Sequence, residues 1–63
     1  MRHIEADLDY DPDDGSFRVS RLTDENGNDV SYYVERATVF RDIAELEKVL
    51  AAEFRSPVAV QEA

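Results

Sequence analysis

The sequence predicts an α+β domain: a three-stranded antiparallel meander (β-β-β) followed by one C-terminal α-helix packed on one sheet face. Three observations carry this. Apolar residues recur at every second position near the N-terminus, which is the strand period. Two turn signals, Asp11-Pro12-Asp13-Asp14-Gly15 and Asn26-Gly27, divide the first forty residues into three segments. From Asp42 onward the apolar spacing changes to three and four, the helical period. The predicted limits are strands at 2–10, 16–22 and 30–39, a helix at 42–55 and a tail at 57–63. All lie within one domain, 1–63.

In the first strand Ile4, Ala6, Leu8 and Tyr10 alternate with Glu5, Asp7 and Asp9, so one face is apolar and the other acidic. Pro12 presets φ for the turn, the Asp residues can bond their own backbone, and Gly15 accepts a positive φ. In the second strand Phe17 and Val19 are the expected core residues, with Arg18, Ser20 and Leu22 on the opposite side. Arg18 is expected across from the acids of the first strand. The Asn26-Gly27 hairpin leads to the third strand, where Val30, Tyr32 and Val34 share a face but Ala37 and Val39 have the other parity. A bulge near Glu35-Arg36 is expected to bring both sets to the core, with Tyr33 facing outward.

Asp42 is the expected helix cap, with Glu45 three residues on completing a capping box in which Asp replaces Ser or Thr. Ile43, Leu46, Leu50 and Phe54 fall on one helical face, and Arg41, Glu45, Lys48 and Ala52 lie opposite. Arg55 suits the negative end of the helix dipole, and Ser56-Pro57 ends the helix. The tail is expected to add a short edge strand or to fray. Burying Leu8, Phe17, Val19, Ile43, Leu46, Leu50 and Phe54 at about 1.5–3 kcal/mol each gives a small core.

Sixty-three residues hold one core at most, and a chain this short buries only about 60% of its unfolded surface. There is no cysteine for a disulfide or thiolate metal site, and the one histidine excludes a His-rich zinc site. No signal peptide or membrane span is recognisable, so a cytoplasmic protein is expected. The formal charge is −8, from 15 acids against 7 bases. Such a charge repels nucleic acid and anionic membranes and attracts basic surfaces. The acids are also clustered: residues 5–14 hold six and no base, whereas residues 36–55 are balanced.

That cluster fits neither calcium nor catalysis. Asp9, Asp11 and Asp13 match the first three ligand positions of an EF-hand loop. The required Gly falls at Asp14, however, and the bidentate Glu at Ser20, with no helix on either flank. Paired carboxylates perform acid–base chemistry only when one is desolvated, and these lie on an exposed face. His3 has no Ser or Cys nucleophile beside it. The expectation is a non-enzyme without metal or cofactor.

The remaining readings concern binding. An acidic strand face can simply keep a sheet soluble and stop edge-to-edge pairing. It can also imitate a phosphate track. Alternate strand residues repeat every ~6.7 Å, while one DNA strand carries a charge per about 3.4 Å of axial rise. A very short, cysteine-free, acidic domain with Glu5-Ala-Asp-Leu-Asp-Tyr-Asp-Pro-Asp-Asp14 on one strand resembles, in size and charge, the phage-encoded anti-CRISPR proteins that mimic DNA. The resemblance implies a stoichiometric inhibitor that blocks DNA binding by a CRISPR effector in the host cytoplasm.

The expected partner is a nucleic-acid-binding protein with a basic groove, met by Glu5, Asp7, Asp9, Asp11, Asp13 and Asp14. Asp24, Glu25 and Asp29 are ranked second, and Tyr33 is an aromatic anchor. Neither direct nucleic-acid binding nor a membrane is expected, and the chain is read as a monomer or weak homodimer. The alternative is an acidic protein–protein interaction or dimerisation module, antitoxin-like or a phage accessory, acidic only for solubility or salt adaptation.

Overall fold

The computed structural model describes residues 1–63 and contains a three-stranded sheet with one helix against it. In chain order the elements are β1 (Arg2–Tyr10), β2 (Phe17–Thr23), a 3-10 turn (Ser31–Tyr33), α1 (Ile43–Phe54) and β3 (Val58–Glu62). The sheet order is β2-β1-β3, with β1 antiparallel to β2 and parallel to β3. The α+β class and a three-stranded sheet with one helix therefore hold, though the third strand is not the one expected. The antiparallel meander does not, and the helix precedes the last strand instead of ending the chain. The tail expected at 57–63 supplies β3, leaving β1 as the central strand. No helix is long and apolar enough to cross a membrane.

The predicted strand at 30–39 is absent. Val30, Tyr33 and Val34 pack inward, at helical spacing, because the backbone turns there: Tyr33 N donates to Val30 O and Val34 N to Ser31 O. Asp29 starts this turn by accepting a hydrogen bond from Ser31 N at 2.9 Å. The segment meets the outer side of β2 through two isolated bridges, Asp29 to Thr23 and Phe40 to Phe17, and through Val30 N donating to Leu22 O. Ser31 Oγ meanwhile accepts a bond from Leu22 N in place of a strand carbonyl. With no strand at 30–39, no bulge forms at Glu35-Arg36. Ala37 and Val39 are exposed, and Phe40 takes the core position at 1% exposure.

The bulge lies in β2 instead. Asp7 pairs with Arg21 and Leu8 with Val19, so Ser20 is an extra residue on the β2 side. Its effect is to switch parity: Phe17 and Val19 face the core before it, and Leu22 faces the core after it. Leu22 is fully buried, contrary to its expected place on the open face with Arg18 and Ser20. Ile4 and Ala6 complete the sheet's buried face, with Leu8 half-buried and Tyr10 47% exposed.

The helix forms as its signals require. Asp42 Oδ1 accepts a bond from Glu45 N at 2.9 Å, and Glu45 Oε2 returns one from Arg41 N at 3.3 Å, one residue before the cap. Leu46 and Leu50 are buried, with Ile43 and Phe54 half-buried beside them. Arg55 closes the helix in the left-handed region at φ 53°, donating its N–H to Ala51 O. The chain then turns at Ser56-Pro57, and Val58, absent from the expected core, is buried.

Candidate interaction surface

With α1 on one face, the other face of the sheet is open. Glu5, Asp7 and Asp9 project from β1 onto it, and all three are exposed. The register sets Arg21 opposite Asp7 and Arg18 opposite Asp9, as expected for Arg18. Neither pair closes into an ion pair. The structure's two ion pairs are Arg2 with Glu25 at 3.0 Å and Arg21 with Asp29 at 3.8 Å. Arg21 thus leans along β2 toward Asp29, and the three carboxylates of β1 remain without a bonded partner. They are spaced at the strand repeat of ~6.7 Å.

The turn acids are used differently. Asp11 accepts from Asp13 N at 2.9 Å, and its backbone closes the turn with Ser16 and Gly15. Asp14 Oδ1 accepts from both Ser16 N and Ser16 Oγ. The Ser16 hydroxyl, then its N–H, hold the Asp14 carboxyl below its ordinary value. Ser16 is itself buried, so this carboxylate satisfies a polar group that would otherwise be stranded. Asp24 Oδ1 accepts from Asn26 N and Asn28 N in the second turn. Asp29 is lowered in the same way as Asp14, by Ser31 first. These are side-chain-to-backbone turn bonds, and they account for much of the Asp content. Asp13 alone in the first turn carries a carboxylate with no such duty.

Glu25 is held most firmly. Arg2 Nε and Nη2 both donate to it, and His3 N donates to Oε2 at 3.0 Å. The Arg2 side-chain bond, then the backbone N–H groups of Glu25 and His3, hold its carboxyl at about 2. The Arg2 guanidinium also lies 4.5 Å from the Phe54 ring centroid. Glu25 therefore fastens the start of β1 to the second turn and to the helix end.

The ten candidate residues do not form one patch. Glu5, Asp7 and Asp9 share the open face. Asp11, Asp13 and Asp14 continue from the end of β1. Asp24, Glu25 and Asp29 sit at the opposite end of the hairpin, around the start of β1. Tyr33 is half-buried and not an outward-facing anchor: its ring centroid lies 4.7 Å from that of Phe54, the ring that carries the guanidinium of Arg2. Tyr32 faces outward instead, at 76% exposure. The exchange follows from the 3-10 turn, since strand parity does not apply there. The helical spacing of Val30, Tyr33 and Val34 is the signal that identifies the inward tyrosine.

One further feature escaped the sequence reading. A cleft of about 530 Å³ lies where the second turn meets β1 and β3, lined by His3, Glu5, Thr23, Asp24, Glu25 and Gln61, among others. It requires β3 beside β1, a pairing between residues more than fifty positions apart. No three His, Cys, Asp or Glu side chains stand together as metal ligands. Protein-family models, curated proteins and solved structures give no match to this chain.

Proposed function

We propose that the protein is a non-enzymatic inhibitor that presents the open face of its sheet, as a phosphate-like track, to the basic groove of a nucleic-acid-binding protein. The observation that carries this reading is the row Glu5, Asp7 and Asp9, exposed on the central strand and without an ion pair. Like charges at fixed spacing repel one another and lower stability, so a partner that neutralises them gains what the fold loses. Asp13, exposed in the turn beyond the strand end, adds a further carboxylate without a bonded partner. A CRISPR effector complex is the target that the resemblance in size and charge suggests.

A second reading has its own support. Asp11, Asp14, Asp24 and Asp29 bond turn backbone, and Arg18 and Arg21 stand across from the row. Acidity with those roles suits an interaction module whose charge serves folding and solubility. The two readings differ in what the β1 carboxylates do for binding.

The test is competition between the protein and labelled duplex DNA for a purified CRISPR effector complex, followed by fluorescence anisotropy across a salt series. Mimicry requires displacement that weakens steeply with salt, since exposed charges are screened beyond about 10 Å at 0.1 M. Asp7→Asn, Asp9→Asn and Asp11→Asn together are expected to abolish displacement. Asn at position 11 can still accept the turn bond from Asp13 N. Asp7 and Asp9 form no ion pair with the facing Arg21 and Arg18, so replacing them breaks no bond and relieves like-charge repulsion. A triple variant that melts no lower and still displaces DNA fully refutes the proposal.

A further inference from the structure

The two outer edges of the sheet are treated differently. The far side of β2 is covered at both ends, by the bridges from Asp29 and Phe40 and by Ser31 Oγ on Leu22 N. The far side of β3 has no strand or loop beside it. The ladder between β1 and β3 is phased by Arg2 N donating to Pro57 O and Ala63 N donating to Ala6 O. In a parallel pair this phase turns the backbone groups of Ala59 and Gln61 toward β1 and those of Val58, Val60 and Glu62 outward. One outward donor is occupied: Val60 N donates to Glu47 Oε2 of α1 at 2.8 Å. The others have no backbone partner.

We propose that the outer edge of β3 accepts an extended basic segment of a partner protein as a fourth strand. This goes beyond groove binding, although it draws on the same carboxylates. Strand addition is the way an unpaired edge is recognised: main-chain bonds supply affinity and alternate side chains supply specificity. The side chains of this protein select the segment. On the open face β3 offers only Ala59 and Gln61, which pair with His3 and Glu5 of β1. A long cationic side chain on the added strand, ~9.6 Å from β1, passes over these two residues into the cleft beside Glu5. On the other face it meets Val58 and Val60, where short apolar side chains fit.

Glu47 makes the edge conditional. Its carboxylate caps the central donor, as negatively charged groups at sheet edges discourage pairing. An incoming carbonyl replaces it on Val60 N, and the released carboxylate is then available to a cation of the incoming segment. A second copy of this chain brings eight further negative charges, and its one basic strand, β2, is paired with β1 on one side and covered on the other, so a second copy is disfavoured at this edge.

The test uses the full chain and an end-capped peptide of alternating arginine and valine. Two control peptides are the same sequence N-methylated on the amides that face β3, and one with glutamate for arginine. Binding is followed by anisotropy and by amide hydrogen exchange. The arginine–valine peptide is expected to bind, to slow exchange at Val58 and Glu62, and to bind at least tenfold more tightly than either control. The variant Val60→Pro removes an outward N–H at a position where edge strands tolerate proline, and should weaken binding by a similar factor while the N-methyl control leaves the protein untouched. Equal binding of the arginine peptides with and without N-methylation would overturn the edge site while leaving the acidic face intact as a binding surface. No binding by any peptide also overturns it, without touching the outcome of the DNA competition. Sedimentation of the chain alone as a dimer that Val60→Pro returns to monomer would give the edge to a second copy instead, and refute the proposal.

Discussion

Replacing Leu22 with alanine tests the bulge that arranges β2. Simple alternation from Phe17 puts Leu22 on the open face beside Arg18, where truncation changes stability by no more than about 0.5 kcal/mol. With Ser20 inserted in the pairing, Leu22 is instead fully buried in the cluster that contains Ile4, Leu46 and Leu50. A buried Leu→Ala substitution removes the transfer energy of the side chain and leaves a cavity, together about 2–5 kcal/mol. A 63-residue chain has a total stability on the order of 3–9 kcal/mol, at roughly 0.05–0.15 kcal/mol per residue. The variant is therefore expected to lose a large share of its stability and to approach unfolding at room temperature. Urea denaturation followed by circular dichroism measures this, with Leu46→Ala as the matched core control. At a slope of about 1 kcal/mol/M for so small a domain, the midpoint should fall by about 2 M or more. A Leu22→Ala midpoint near that of the unaltered protein, with Leu46→Ala strongly shifted, would refute the bulged register.

Two further expectations concern the ends of elements. Asp42→Ala removes the acceptor for Glu45 N and should cost about 0.5–2 kcal/mol, read from the same urea curves. A loss within error of zero would mean that Glu45 and water satisfy the helix start without it. Glu25 makes stability depend on acid. Its carboxyl titrates at about 2 in the fold against an ordinary 4.5, so the folded state binds fewer protons in that interval. Its contribution is fully present above about pH 4.5 and is lost as pH falls toward 2. Glu25→Gln should therefore show a shallower loss of stability across that window. Asp14 and Asp29, also lowered, retain their own acid dependence. Identical pH profiles for the variant and the unaltered protein would remove Glu25 from the acid response.

What the sequence by itself determined was local. The alternation of Ile4, Ala6 and Leu8 with Glu5, Asp7 and Asp9 fixed which side of β1 is acidic, because strand geometry sends neighbours to opposite faces. The turns at 11–15 and 24–28 were legible because Asp and Gly there bond or bend the backbone within a few residues. Asp42, the face formed by Leu46 and Leu50, and the stop at Ser56-Pro57 defined the helix for the same reason. Tertiary structure decided which strand is central. A seven-residue tail has no stability alone, and only five register pairs with β1 and the apolar contact of Val58 under α1 make its residues 58–62 β3. It also decided the fate of 30–39, where two apolar parities competed. Bonds from Ser31 and Asp29 to nearby backbone, with Phe40 anchored against Phe17, favoured a turn over a strand. The cleft and the unpaired edge follow from the placement of β3 beside β1, which joins residues that the sequence keeps far apart.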